Sequence, residues 1–264
     1  MNKTVVMKFG GASVASTEHF SRIADIIIHR KKNYDRVIVV VSAMGDTTND
    51  LIALARSVNP NPPQREYDML VTVGERISIS LLAMALEAKG SAAISFTGSQ
   101  AGIITSDRHT DARIVDVRPR RLVEQLASDR IVIVAGFQGC STTGEITTLG
   151  RGGSDTTAVA LAVALKAEKV EFFKDVSGVY NNDPKIAPDA ERIAYLSYEE
   201  ALRLLRSGAK VLSLRCVELA AKNCIPLYVS SFLADDGEGT LISDYASSQL
   251  ENPIYELEPV TCEV

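Results

Sequence analysis

The sequence has few of the residues that build metal sites and catalytic nucleophiles. It contains four cysteines and three histidines, namely Cys140, Cys216, Cys224, Cys262, His19, His29 and His109. No two cysteines form a CxxC pair, and the histidines lie far from them in sequence, which argues against a structural zinc site. No histidine has a neighbour that suggests a Ser-His-Asp or Cys-His arrangement. We therefore expect no metal site built by the protein, and free thiols in a reducing cytosol.

Several larger features are also missing. The N-terminus, MNKTVVMKFGG, has no apolar core long enough for a signal peptide, and no apolar run approaches the roughly 20 residues that cross a bilayer. The net charge is -5 and the Lys and Arg residues are scattered, so no basic surface for nucleic acid is expected. Neither a Walker A loop nor a GxGxxG motif occurs. We expect a cytoplasmic protein that binds neither nucleic acid nor membrane.

Apolar runs that alternate with helical patterns predict an α/β fold. Short apolar runs rich in β-branched residues predict strands at 4–8, 36–41, 91–96, 130–135, 170–173 and 227–229. Helical segments separate most of these strands, which favours a mainly parallel sheet sandwiched by helices in three layers. One long helix is expected over residues 65–88, interrupted only at Gly74.

The segment TLGRGGSDTT, residues 148–157, stands directly before an Ala/Val/Leu run of helical length. Ser154 and Asp155 are expected in the first turn of that helix, where free backbone N–H groups gather. Gly150, Gly152 and Gly153 are expected to adopt positive φ and to let the backbone approach a ligand. Arg151 adds a planar fork suited to a carboxylate or phosphate. A capped surface turn is the simpler interpretation, but an arginine among glycines favours an anion-handling loop.

Four further polar loops follow predicted strands, at residues 8–11, 42–48, 136–139 and 174–180. Ligands of open parallel sheets bind beyond the carboxyl ends of the strands, so these loops are expected to converge on one site. Taken singly, their residues leave alternatives open. Lys8 either reaches solvent or faces a phosphate, and Asp175 either caps a turn or contacts a ligand. Lys210 and Glu75 likewise have ordinary surface positions as alternatives.

Taken together, these segments resemble the amino acid kinase family, and within it the aspartate kinases. The resemblance runs through KFGGASV, VVSAMGDTTNDL, VGERIS, QAGIITSD, GFQG, TLGRGGSDTTAVALA, DVSGVYNNDPKIAPDA and LSYEEALRLLRSGAKVL to GTLIS. It implies transfer of the γ-phosphoryl group of ATP, with Mg²⁺, to the side-chain carboxylate of L-aspartate, giving 4-phospho-L-aspartate. This reaction is an entry step to lysine, threonine and methionine synthesis.

The resemblance also implies roles for individual residues. Lys8 would stabilise the transferring phosphoryl group, Asp155 would orient the lysines around it, and Lys210 would act beside them. The residues that would hold aspartate are Ser42, Thr48, Glu75, Phe137, Arg151 and Ser154. Those that would line the ATP site are Gly10, Gly11, Lys174, Asp175, Tyr180, Lys185 and Lys210. Arg151 would grip a carboxylate of aspartate, and Glu75 would lie on the amino-group side.

The chain departs from the family pattern at several points. Lys174 stands where these enzymes usually have threonine, Ser213–Leu214–Arg215 replaces HPR, and Ala12 replaces a hydroxyl residue. Residues 1–243 are expected to form the catalytic domain, with an aspartate-binding lobe at 1–168 and an ATP-binding lobe at 169–243. The tail, 244–264, is too short for ACT regulatory domains, so no ACT-based feedback is expected. A homodimer, another carboxylate acceptor and a catalytically silent subunit remain open alternatives.

Overall fold

The computed structural model describes residues 2–182, 187, 189–233, 238–244 and 252–256. The strands are β1 (Thr4–Phe9), β2 (Arg36–Val41), β3 (Ala93–Phe96), β4 (Ile103–Thr105), β5 (Ile114–Val117), β6 (Ile131–Ala135), β7 (Gln138–Ser141), β8 (Ile146–Thr148), β9 (Lys169–Lys174), β10 (Val179–Tyr180), β11 (Arg192–Ile193), β12 (Tyr195–Leu196), β13 (Leu227–Ser231) and β14 (Gly239–Ile242). The helices are α1 (Thr17–Lys31), α2 (Thr47–Val58), α3 (Gln64–Val71), α4 (Val73–Ala88), α5 (Arg120–Ala127), α6 (Gly153–Ala164), α7 (Tyr198–Arg206) and α8 (Leu214–Asn223).

The central sheet has eight strands in the order β12-β14-β13-β9-β1-β2-β6-β3. All of its pairs are parallel except β13 with β14. The inner strands β1, β2 and β6 are continuous apolar runs because helices cover both of their faces. The predicted mainly parallel α/β sheet is therefore confirmed.

One apolar core lies on each face of the central sheet, between its strands and the helices that cover them. The helices, the sheet and the second set of helices are the predicted three layers. On one face, Met7 and Val39 pack with α1 and α4, whose buried residues include Ile23 and Leu82. On the other face, Val6 and Val40 pack with α6 and α8, and α5 and α7 extend this layer. Helix α6 is buried along nearly its whole length, which explains its Ala/Val/Leu composition.

A second, four-stranded sheet in the order β5-β4-β7-β8 was missed by the sequence analysis. Its strands are three or four residues long, and β7 (QGCS) and β8 (ITT) show no alternation of apolar and polar residues. The expected loop at 136–139 is correspondingly shorter, because Gln138 and Gly139 belong to β7. The small sheet packs through Ile103 and Ile114 onto the core that contains α6.

The helix expected over 65–88 is two helices, and its break lies at Thr72 and not at Gly74. Gly74 is inside α4, where a β-carbon would lie 2.7 Å from the Ala43 β-carbon, so glycine allows α4 to approach the segment after β2. Contrary to the expectation from sequence, the stretch Gln64–Ala88 is long and apolar enough to cross a membrane, by length and composition alone. Much of it is buried, and Ile79, Leu82 and Leu86 of α4 pack in the core with α1, as in a core helix of a globular protein.

Candidate active site

Two cavities open beside each other at the carboxyl ends of the central strands. The first, of about 660 Å³, has Arg151 in its wall, and we call it the Arg151 cavity. The second, of about 760 Å³, has Tyr180 in its wall and is called the Tyr180 cavity. Lys8 and Gly11 line both cavities. The Lys8 ammonium is thus the place where groups bound in the two cavities would meet.

The two cavities gather the candidate residues from distant parts of the chain. The Arg151 cavity is lined by the residues expected to hold aspartate, namely Ser42, Thr48, Glu75, Phe137, Arg151 and Ser154. The Tyr180 cavity is lined by those expected to hold ATP, namely Gly10, Gly11, Lys174, Asp175, Tyr180 and Lys210. Lys185 lies outside the described residues. This convergence follows from the topology, because β1, β2, β6 and β9 are neighbours in the sheet and end at the same edge.

Where the two cavities join, one carboxylate bridges two lysine side chains. Lys8 lies near the end of β1, and Lys174 is the last residue of the neighbouring strand β9. Asp155, in the first turn of α6, presents one oxygen to each: Nζ of Lys8 lies 2.6 Å from Oδ1, and Nζ of Lys174 lies 3.4 Å from Oδ2. Lys8 and Asp155 are both about 5% exposed. With two cations and one anion, the cluster carries one net positive charge.

The charges of this cluster hold one another in place. Burial alone would raise the pKa of Asp155, but the ammonium groups of Lys8 and Lys174 outweigh burial and keep that pKa below its ordinary value. Burial lowers the pKa of Lys8, and the Asp155 carboxylate offsets part of this effect. An anion such as a phosphate would add a second negative charge and balance the cluster. The arrangement is therefore suited to binding an anion at Lys8.

Glu75 is a buried carboxylate in the wall of the Arg151 cavity. It lies in the first turn of α4 and is 3% exposed. Its Oε1 accepts a hydrogen bond from the Ala43 backbone N–H at 3.1 Å, whereas Oε2 has no hydrogen-bond partner among the residues that the structure describes. Burial raises the pKa of Glu75 to about 7. A buried carboxylate beside a cavity can bind a cationic ligand group, which would return its pKa toward the ordinary range.

The loop from Leu149 to Gly153 places Arg151 at the edge of its cavity. Gly150 and Gly152 adopt the expected positive φ, at 72° and 75°, and Gly152 caps the start of α6. The expectation was wrong for Gly153, which is the first residue of the helix. Close packing is what requires glycine there, because a β-carbon would lie 2.8 Å from that of Leu149. Arg151 itself is exposed, and Ser154 and Asp155 lie in the first helical turn as predicted.

The model of the amino acid kinase family matches residues 3–231 of the sequence. The chain belongs to the amino acid kinase family. It is similar to the aspartokinase of Mycolicibacterium smegmatis, with 54% identity over 239 residues that make up 90% of this chain and 56% of that relative. The chain spans 56 to 60% of the length of the curated relatives it matches.

Two solved structures of aspartate kinases are similar to the structure of this amino acid kinase. The aspartate kinase of Synechocystis superposes with a TM-score of 0.82 at 42% identity, over 94% of this chain and 40% of that one. The E. coli aspartokinase III, solved in complex with aspartate and ADP, superposes with a TM-score of 0.84 at 30% identity, over 92% of this chain and 65% of that one. The fold and the family of the chain are therefore established by independent comparisons.

Asp68 is a further buried carboxylate of this amino acid kinase, and the sequence analysis missed it. Its Oδ2 accepts from the backbone N–H groups of Thr148 (3.1 Å) and Thr110 (3.0 Å), and from His109 Nδ1 at 2.9 Å. Its Oδ1 accepts from the Thr148 hydroxyl at 2.7 Å. Asp68 thus fixes the strand end from which the Arg151 loop starts. The available signal was its helical phase, because Asp68 lies three residues before Val71, the other buried residue of α3.

Proposed function

We propose that this chain transfers the γ-phosphoryl group of ATP to the side-chain carboxylate of L-aspartate, producing 4-phospho-L-aspartate and ADP. The observation that carries the proposal is the position of Lys8, whose ammonium is shared by the two cavities and paired to Asp155. The likeness to aspartokinases, one of them solved with aspartate and ADP, supports the choice of substrates. The chemistry needs chiefly positioning and neutralisation of charge, which these residues can supply.

Aspartate is placed in the Arg151 cavity. Arg151 would pair with a carboxylate of aspartate, because a guanidinium fork matches the two carboxylate oxygens. Glu75 would receive the α-ammonium group at its free oxygen, since a buried carboxylate gains most from an incoming cation. Ser42, Thr48 and Ser154 would supply hydroxyl groups, and the Phe137 ring would close one wall.

ATP is placed in the Tyr180 cavity with its γ-phosphate at Lys8. A carboxylate oxygen of aspartate attacks the γ-phosphorus, a new O–P bond forms, and the bond to the β,γ-bridging oxygen breaks as ADP leaves. The nucleophile is already an anion, so no general base is required. Lys8 would neutralise the migrating group and Asp155 would hold Lys8 and Lys174 in position. Lys210, at the rim of the same cavity, would act on the phosphates.

The proposal assigns Mg²⁺ to the nucleotide and not to a protein site. Across the described parts of the chain, no group of three or more His, Cys, Asp or Glu side chains could hold a metal ion. Both oxygens of Asp155 already face lysine ammonium groups. Mg²⁺ commonly binds substrate phosphates with few protein ligands, so it would enter the site on the phosphates of ATP.

The division into two lobes is part of the same proposal. The Arg151 cavity is lined by residues between Lys8 and Asp155, and most of the Tyr180 cavity by residues between Phe173 and Val211. This supports an aspartate-binding part at 1–168 and an ATP-binding part at 169–243, with Lys8 and Gly11 serving both. We further propose a cytoplasmic role at the entry to lysine, threonine and methionine synthesis, on the strength of the aspartokinase relatives. A homodimeric state remains a prediction.

The test is turnover with Mg-ATP and a panel of acidic amino acids. Release of ADP that depends on L-aspartate, together with trapping of the acyl phosphate as a hydroxamate, would support the proposal. Turnover with another carboxylate acceptor but not with aspartate would change the substrate and keep the chemistry. A folded chain that binds ATP and turns over none of the acceptors would refute the proposed activity.

A further inference from the structure

Arg215 joins three separate parts of the chain with all five of its N–H donors. Its Nε donates to Oε1 of Glu256 at 2.6 Å, and Nη2 donates to Oε2 of Glu256 and to the Ala112 carbonyl, both at 2.8 Å. Nη1 donates to Oδ1 of Asp111 at 3.3 Å and to the carbonyl of Leu149. A guanidinium has five donors in a rigid plane, so Arg215 is saturated and fixed in orientation.

Glu256 is held independently of Arg215. Its backbone N–H donates to the Ile114 carbonyl at 3.0 Å, and its Oε2 accepts from the Ile114 N–H at 2.9 Å, so it adds to the edge of β5. Two residues earlier, the backbone of Ile254 exchanges two hydrogen bonds with the Asn223 side chain, at 2.7 and 2.8 Å. The carboxylate side chain of Glu256 is 10% exposed. The segment 252–256 is therefore anchored at both of these points on the body of the fold.

The third part joined by Arg215 is the start of the loop that carries Arg151. The carbonyl that accepts from Arg215 belongs to Leu149, which directly precedes Gly150. At Gly152 the same loop touches the start of α8, because a β-carbon there would lie 2.4 Å from that of Ser213. Ser213 is the N-cap of α8, two residues before Arg215. The loop thus rests on α8 at both ends, and Arg151 lies between the two contacts.

We propose that Glu256 and Arg215 form a clamp that positions the Leu149–Gly153 loop for binding of the acceptor. Glu256 is a positioning residue, because it acts on Arg151 through Arg215 and the Leu149 carbonyl and not by touching the acceptor. Bidentate pairs between arginine and carboxylate fix geometry as well as contribute energy, and this pair is largely shielded from water. The clamp therefore ties residues 252–256 to the acceptor cavity. The effect of the clamp on the KM for aspartate rests on the proposed function.

Glu256→Gln tests the clamp with little change of shape. The amide would turn an NH₂ group toward the donors of Arg215, so one acceptor is lost and two donors face each other. We expect the KM for aspartate to rise roughly tenfold, the size of one charge-assisted hydrogen bond, while the KM for ATP stays within about twofold. Arg215→Lys, which keeps the charge and loses the fork, should act in the same direction. Glu124→Gln, in the exposed Arg120–Glu124 pair, is the matched control and should change neither constant.

Hydrogen exchange gives a second measurement that does not require turnover. Amides of residues 149–153 should exchange faster in Glu256→Gln than in the parent chain or in Glu124→Gln, with the thermal midpoint of unfolding recorded for each. If the parent chain does not use aspartate, the proposed function fails, while faster exchange would still support the clamp. Unchanged exchange in both Glu256→Gln and Arg215→Lys would overturn the clamp. An equal rise in both KM values without a change in exchange would also overturn it.

Discussion

Replacing Glu75 with glutamine should stabilise the ligand-free protein at alkaline pH, even though Glu75 is expected to bind substrate. The side chain is 3% exposed, and burial raises its pKa from an ordinary 4.5 to about 7. Between these values the folded chain holds a proton that the unfolded chain has released. The free energy of unfolding must therefore fall as pH rises through this window. Glutamine has no such proton and keeps an oxygen to accept from the Ala43 N–H.

The size of the effect follows from the same two pKa values. A rise from 4.5 to about 7 corresponds to about 3 kcal/mol of stability lost between about pH 4.5 and about pH 7. Below about pH 4.5 the carboxyl group is protonated in both states, so the parent chain and Glu75→Gln should be similarly stable. Above about pH 7 the loss is complete, and Glu75→Gln should be the more stable by up to about 3 kcal/mol.

The assay is urea unfolding of both chains at a series of pH values from about 4.5 to about 8.5, without ligand. The exposed-site variant Glu124→Gln is the control and should follow the parent chain. Glu75→Gln should also lose affinity for aspartate, because the ammonium group loses its anionic partner. An identical pH dependence of the free energy of unfolding in the parent chain and Glu75→Gln would show that burial does not raise the pKa of Glu75. The proposed role of Glu75 as a buried partner for the ammonium group would then be refuted.

Three substitutions test the proposed roles of the charged side chains. Lys8→Ala should lower kcat by about 100-fold or more and leave the KM for aspartate largely unchanged, because Lys8 acts on the migrating group; steady-state kinetics with a near-normal kcat would reject this role. Arg151→Ala should raise the KM for aspartate by about tenfold or more and change kcat less, and an effect confined to the KM for ATP would contradict the placement of aspartate. Lys174→Thr should lower kcat/KM for ATP by roughly tenfold, because one of the two cations on Asp155 is lost. An unchanged kcat/KM for ATP would show that Lys174 has no role in the reaction with ATP.

The parts of the fold that could be read from the sequence are those dominated by one local pattern. The inner strands are almost entirely apolar, and the buried helix α6 continues after its polar start as the run AVALAVA at residues 158–164. The small second sheet could not be read in this way. Its strands are short and polar, as in QGCS of β7, and they are held by pairing with each other and by packing onto α6, which no local pattern records.

The residues of the candidate site likewise fall into those that a local motif marks and those that it does not. Lys8, Glu75, Arg151 and Asp155 stand beside glycines or strand ends, so their motifs mark them out in the sequence. The residues that support the site carry no such mark. Asp68 contacts Thr148 across 80 positions, and Glu256 contacts Arg215 across 41. Such pairs are set by the tertiary fold, and a single sequence offers only the helical phase of Asp68 as a hint.

The most direct test of the account is a structure of the chain with a non-hydrolysable ATP analogue and L-aspartate. The account predicts the γ-phosphate beside the Lys8 ammonium at the junction of the two cavities, with aspartate between Arg151 and Glu75 and its side-chain carboxylate facing the phosphorus. A triphosphate bound away from Lys8 and Asp155, or aspartate bound outside the Arg151 cavity, would contradict it.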